Sequence, residues 1–264
     1  MMVFKLVVGI VLFILWFLVV HTIKMFRMYL VFLESRIRFS RFVFAYCRTT
    51  LANLIIPFKL GEIYRMAVFS RILKSAGMGI AGVIVDRFFD TMALVLILLP
   101  LHILYPSKVS VVSVFLVVFV VLIVFVYATF PSAYRYLNRY IIINRGAGFS
   151  MTVLKWLEVL NLGYEHIRQL VKGRYALLTL MSFASWVLEG GLLYIVAIVM
   201  GEHYDAGVFS DYITSIMSTA SSELQTRYII LSAAVMALCT LISGIVYAAV
   251  RSVRADTVQN RSQL

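Results

Sequence analysis

The sequence predicts an all-α fold, a polytopic helical membrane protein with about five full spans and a re-entrant or broken helix pair. Three observations carry that expectation. Hydrophobic residues make up 62% of the 264-residue chain, and mean hydropathy is +0.97. Apolar runs of about twenty residues recur along it, each long enough to cross ~30 Å of hydrocarbon at ~1.5 Å per residue. One stretch, "NLIIPFKLGEIYRMAVFSRIL" from Asn53 to Leu73, breaks the pattern with a proline, a glycine, a carboxylate and three basic residues. No polar stretch is long enough for a soluble enzyme core, so residues 1–264 read as a single transmembrane domain.

The full spans are expected at 3–22, 79–104, 109–130, 176–200 and 228–250. The first run exceeds the apolar core of a signal peptide, and "HTIKMF" offers no small-x-small cleavage site, so it reads as a retained span. Cys47 and Cys239 lie far apart in apolar segments and read as small buried hydrophobes. His21, His102, His166 and His203 are scattered and read as interfacial or loop residues. No His/Cys cluster suggests a metal, and nothing calls for a cofactor. The net charge of +12 does not imply nucleic acid here. In a membrane protein, basic residues collect in cytoplasmic loops, where they meet anionic headgroups.

Twenty of the twenty-four basic residues fall in three stretches: ten in 24–75, seven in 131–175, and three in the tail. The other side holds Lys5, Lys108 and Arg227 with the acidic Glu202, Asp205 and Asp211. The positive-inside rule then puts the N-terminus outside and the C-terminus in the cytoplasm of a plasma (inner) membrane.

This orientation constrains segment 39–57, which is itself long and apolar enough to cross. A lone crossing there inverts every later loop. The segment is therefore expected to dip in to about Pro57, turn through "FKLG", and return along "EIYRMAVFSRIL". Pro57 lacks a backbone donor and Gly61 tolerates unusual dihedrals, so the break falls where the chain permits one. Non-helical backbone at membrane depth is tolerated only when buried in protein or lining a wet cavity. Two complete but charged spans, 39–57 and 60–75, have the same parity, and the sequence leaves both open. The 131–175 loop, with Val153, Leu154, Leu157, Leu160, Ile167 and Leu170 near helical spacing, is expected to form an amphipathic hairpin on the inner leaflet. "DYITSIMSTASSELQTRY", Asp211 to Tyr228, reads either as a second re-entrant element or as a plain external loop.

The run "VIVDRFFDTMALVLILL" holds three charges in five residues. Asp86 and Asp90 share a helix face, and Arg87 and Asp90 are three apart and can pair. A charge at the centre of a span costs ~2.5–3.5 kcal/mol, so three together must face protein or a wet cavity. About six residues precede them in the span, which places them roughly 9–10 Å deep. Glu62 and Arg65 are likewise three apart, Glu62 in the first turn of the returning helix, where a carboxylate is favoured. The two sets are expected to form one cross-helix network. It is either an ion-pair staple or a polar cavity for a charged lipid headgroup.

These residues resemble a known family. "NLIIPFKLGEIYR" followed by "VIVDRFFD" is similar to the transmembrane domain of lysylphosphatidylglycerol synthases, which also occurs as free-standing flippase-like proteins. The resemblance rests on Asn53, Pro57, Lys59, Gly61, Glu62 and Arg65, then Asp86, Arg87 and Asp90, with Trp186 and Glu189 in "SWVLEG" matching a later Trp-x-x-Glu. It covers roughly residues 15–250. Two departures stand out: an N-terminal span is missing or shortened, and a Pro- and Gly-rich turn with Gly-x-x-Glu is replaced by "SIMSTASSELQTRY", where only Glu223 stands in.

The resemblance implies translocation of a polar lipid between leaflets. Its partners would be membrane lipids, either anionic phospholipid or a polyprenyl-linked head group. The polar path would run through Asn53, Lys59, Glu62, Arg65, Asp86, Arg87, Asp90, Trp186 and Glu189, hinged at Pro57 and Gly61. The alternative is an accessory membrane subunit of a glycosyltransferase or lipid-linked sugar pathway. A glycosyltransferase or a second copy of the chain would then be a partner. An intramembrane enzyme ranks lowest, since no nucleophile–base pair or metal set stands out. The chain has no G-x-x-x-x-G-K-[ST] motif, so movement is expected to be downhill or ion-coupled.

The orientation is testable. Ser35→Cys and Ser75→Cys are expected to stay unlabelled by an impermeant thiol reagent applied to sealed cells. Strong labelling at either position would break the topology.

Overall fold

The computed structural model describes residues 2–56, 60–104, 111–143, 148–201 and 223–261, together with Tyr204, Phe209 and Tyr212. Eight α-helices run through them: α1 (Met2–Val31), α2 (Phe39–Ile55), α3 (Leu60–Leu73), α4 (Ala76–Leu104), α5 (Val111–Ile143), α6 (Gly148–Val171), α7 (Tyr175–Met200) and α8 (Glu223–Arg261). The described residues contain no strand. Four helices are long and apolar enough to cross a membrane, over Val7–Val31, Val114–Ile143, Tyr175–Val199 and Thr226–Val253. Their outward faces are apolar: Val118, Val121, Leu122 and Phe125 of α5 and Leu238, Leu241, Ile242 and Ile245 of α8 are all exposed. The protein is a multi-pass helical membrane protein.

The expected spans need three corrections. α1 does not stop at 22 but continues to Val31, because "MYLVF" carries the apolar pattern past Lys24 and Arg27. Those two cations therefore belong to the helix and not to a loop. α5 runs through Pro131 to Ile143, losing only the one ladder bond that proline cannot donate. The expected span at 79–104 is α4, 29 residues and about 43 Å long, but its three ionisable residues keep it out of the apolar set.

α4 is the hub, packed against α1, α3, α5, α6 and α7. Its first half permits this because it is built from small residues. A Cβ on Gly79 would lie 2.4 Å from the Ser70 backbone nitrogen of α3, and one on Gly82 would lie 2.1 Å from the Phe32 ring at the end of α1. Small residues at such crossings are how membrane helices approach closely. Asp86 and Asp90 continue the same stripe one and two turns on. Phe32 stacks on Phe69 (5.1 Å between centroids), Phe69 meets Phe42 (5.6 Å), and Phe42 meets Tyr29 (5.1 Å). These rings lock α1, α2 and α3 together below the hub.

α2 and α3 form an antiparallel pair. Asn53 bonds Glu62 and Thr50 bonds Arg65, a register that advances one way on α2 and the other on α3. With 17 and 14 residues, the helices are about 26 and 21 Å long, short of ~30 Å of hydrocarbon. Pro57 and Lys59 lie outside the described residues. Gly61 serves a purpose other than the expected one. Its backbone needs no left-handed dihedral; it is close approach that demands glycine, because a Cβ would fall 2.6 Å from the Asn53 Cα and 2.0 Å from its side-chain oxygen.

The expected amphipathic hairpin is instead the end of α5 followed by one continuous helix, α6, seated on α4 and α5. Of its apolar residues, Leu157 and Leu170 are buried, whereas Trp156, Val159, Leu160 and Leu162 are exposed. His21 is not in a loop either: its ring lies against Phe17 (4.2 Å) and Nδ1 is 3.2 Å from the Tyr46 hydroxyl. Most of the Asp211–Tyr228 stretch falls outside the described residues.

Two glycine variants separate close approach from propensity. Gly61→Ala overpacks the α2–α3 contact and should destabilise by about 1–3 kcal/mol. Gly163→Ala, in the middle of α6 with nothing within 4 Å, should be neutral or stabilising by up to ~1 kcal/mol. Unfolding midpoints in detergent check both, and equal shifts would overturn the packing account.

Candidate functional site

The charged residues of α3 and α4 do meet, as expected, but around a residue that sequence reasoning placed in a loop. Arg27 of α1 is 1% exposed. Its Nε donates to Asp86 Oδ1 at 2.9 Å, and its Nη1 donates to Asp90 Oδ1 at 2.6 Å and to Ser182 Oγ of α7 at 2.9 Å. One guanidinium thus joins α1, α4 and α7. The planar fork suits this task because it presents several fixed donors at once.

Arg87 is the outer partner. It lies 2.7 Å from Asp86, 3.2 Å from Asp90 and 3.6 Å from Glu62, with its side chain 40% exposed. The expected Arg87–Asp90 pair is therefore present, but Arg27 supplies the buried half of Asp90's neutralisation. Arg65, buried on α3, sits 3.6 Å from Glu62 and 3.9 Å from Asp86, and its Nη2 donates to Thr50 at 3.2 Å. Asn53 donates to Glu62 Oε1 at 2.8 Å and so pins the carboxylate from α2.

A second group adjoins the first. Lys24, one turn before Arg27, pairs with Glu189 of α7 and lies 5.6 Å from the Trp186 ring centroid. Trp186 donates its indole N–H to the Asp90 carbonyl at 3.1 Å, linking the two groups. Tyr212 and Tyr228 donate to Glu189 Oε1 at 2.9 and 3.1 Å.

The inventory balances. Lys24, Arg27, Arg65 and Arg87 face Glu62, Asp86, Asp90 and Glu189 in a continuous chain from the α2–α3 pair to α8. Balance is what permits burial, since an unpaired ion away from water carries a penalty of several kcal/mol. Four buried side-chain polar atoms stay unpartnered among the described residues: Glu62 Oε2, Arg65 Nε and Arg87 Nε in the network, and Ser232 Oγ on α8. The first three belong to side chains joined through Glu62 at the more exposed end of the network. These three are one acceptor and two donors, each enclosed by the protein.

Sequence reasoning missed Lys24, Arg27, Ser182, Tyr212 and Tyr228. A signal was available. His21, Lys24 and Arg27 recur every three residues inside an apolar run, and Ser182, Ser185 and Glu189 form a similar stripe on α7. Glu223, the expected stand-in for the missing Gly-x-x-Glu, is exposed and pairs with Arg227 one turn on. Lys59 lies outside the described residues.

A family model described as Lysylphosphatidylglycerol synthase TM region matches residues 1–224. The chain belongs to that family. The match begins earlier than the expected residue 15 and ends well before 250. Every described member of the buried network except Tyr228 lies within the family region, while nearly all of α8 lies beyond it. No curated protein and no solved structure matches the chain.

The geometry ranks the arginines. Arg27→Ala removes the buried partner of Asp86 and Asp90, leaves them chiefly with the half-exposed Arg87, and should cost about 3–5 kcal/mol. Arg87→Ala leaves Asp86 and Asp90 with Arg27 and should cost clearly less. Arg27→Lys should not restore wild-type stability, because an ammonium cannot fork to both acids. Thermal unfolding in detergent decides the order, and equal losses for the two alanine variants would refute it.

Proposed function

We propose that the protein translocates a polar lipid, or a lipid-linked head group, between membrane leaflets. The observation that carries this reading is the charge-balanced chain of buried groups that ends in three unpartnered polar atoms at Glu62, Arg65 and Arg87. A headgroup arriving there exchanges partners with groups already paired. Its phosphate takes an arginine N–H while a carboxylate keeps the other face, and any ammonium takes Glu62. Each exchange replaces one ion contact by another, so no charge is left bare in hydrocarbon. Lys24, Glu189 and the two tyrosines continue such contacts toward α8.

Family membership supports a membrane-lipid role. The finer reading has the protein in the plasma (inner) membrane, N-terminus outside and C-terminus cytoplasmic, with the α2–α3 pair entering from the cytoplasmic side. Its partners in this reading are membrane lipids with anionic phospholipid or polyprenyl-linked head groups.

The test is transbilayer exchange in proteoliposomes carrying fluorescent lipids with cationic, neutral or anionic heads. Wild type should accelerate exchange of at least one class. Glu62→Gln keeps one hydrogen-bonding oxygen and should stay folded, yet shift headgroup preference by at least several-fold, on the order of 1 kcal/mol or more. Unchanged preference in folded Glu62→Gln and Arg65→Gln would leave the network as a helix staple.

A further inference from the structure

We infer that the seam between α2 and α8 is a binding site for an anionic phospholipid, whose phosphate sits on Arg48 with Arg41 and Arg251 across the Phe44–Tyr247 pair from it. This site is separate from the buried network and comes from different residues.

Arg48 lies near the middle of α2 and is exposed. Its guanidinium carbon is 5.7 Å from the Phe44 ring centroid and 5.5 Å from that of Tyr64 on α3. Two rings from two helices therefore seat it, and its N–H edges are left for an acceptor. No carboxylate pairs with it among the described residues. The sequence agrees: no acidic residue occurs between Glu34 and Glu62, nor between Glu223 and Asp256. The interior arginines Arg27, Arg65 and Arg87 all have carboxylate partners, whereas Arg48 has aromatic rings in their place.

α8 closes the other side. Phe44 stacks on Tyr247 at 5.7 Å with the rings 8° from parallel, and Cys47 neighbours Ser243, so α2 and α8 run antiparallel. Arg41 is one turn before Phe44 and Arg251 one turn after Tyr247. The antiparallel register brings them to one level, and both are exposed. Three guanidinium groups thus flank an aromatic pair on a face without acids. Ile55 lies two turns past Arg48 on the same face of α2, and Val246 and Val250 adjoin Tyr247 on α8; all three are exposed. Cations next to exposed apolar side chains fit a phosphate that carries acyl chains better than a free ion.

The experiment is native mass spectrometry of the protein extracted from nanodiscs of equal phosphatidylglycerol and phosphatidylcholine. Wild type should retain phosphatidylglycerol in preference to phosphatidylcholine. Arg48→Gln should lose most of that preference at unchanged unfolding midpoint, and Arg41→Gln/Arg251→Gln should reduce it several-fold. Glu62→Gln should retain it, which separates this site from the network. Inorganic phosphate at millimolar concentration should not displace the lipid; displacement would show a simple phosphate site and overturn the lipid assignment. If Arg48→Gln fails to fold, the Arg41→Gln/Arg251→Gln protein carries the test alone. Wild-type retention in either folded variant would overturn the proposal.

Discussion

Arg27 is the residue on which the rest of the arrangement depends. Its guanidinium reaches two carboxylates on α4 and a hydroxyl on α7 while being itself enclosed. In water such a contact would contribute little. In a membrane interior its loss leaves both acids to the half-exposed Arg87, so one side chain ties three helices together. The glycines at 79 and 82 let α1 and α3 close onto α4, and that approach brings Glu62 and Arg65 within reach of Arg87. Packing and electrostatics are therefore one constraint: a bulkier residue on that stripe would part the ions as well as the helices.

The protein treats its cations in two ways. Those in the interior are matched one for one by acids, whereas Arg41 and Arg48 on α2 have no acid nearby in sequence. Apolar exposure follows the same division. α5 and α8 turn nearly bare apolar faces outward, while α4 and α7 bury theirs against neighbours. The polar path and the lipid-facing surface are thus built from different helices, and the α2–α3 pair is the element that borders both.

Much of this was legible in the sequence. Helical class, membrane residence and the meeting of Glu62, Arg65, Asp86, Arg87 and Asp90 follow from run length, three- and four-residue spacing and the expense of lone charges. What was not legible has a physical cause. A positive-inside count treats every lysine and arginine near a span end as a loop charge, so Lys24 and Arg27 were counted outside a helix that contains them. Gly61 was assigned conformational freedom because closeness between two helices has no signature in one sequence. Tyr212 and Tyr228 come from a stretch whose serine-rich composition resembles a loop, and only the fold brings them to Glu189.

The separation of ion partners along the chain sets an order of assembly. Arg27 waits 59 and 63 residues for Asp86 and Asp90, and Lys24 waits 165 residues for Glu189. During synthesis, α1 therefore enters the bilayer region with two cations that no finished part of the chain can neutralise. It must linger beside the insertion machinery, or keep that end at the headgroups, until α4 emerges. α7 then completes the set. Neutralisation of the first helix's two cations accordingly waits on carboxylates the ribosome has not yet made.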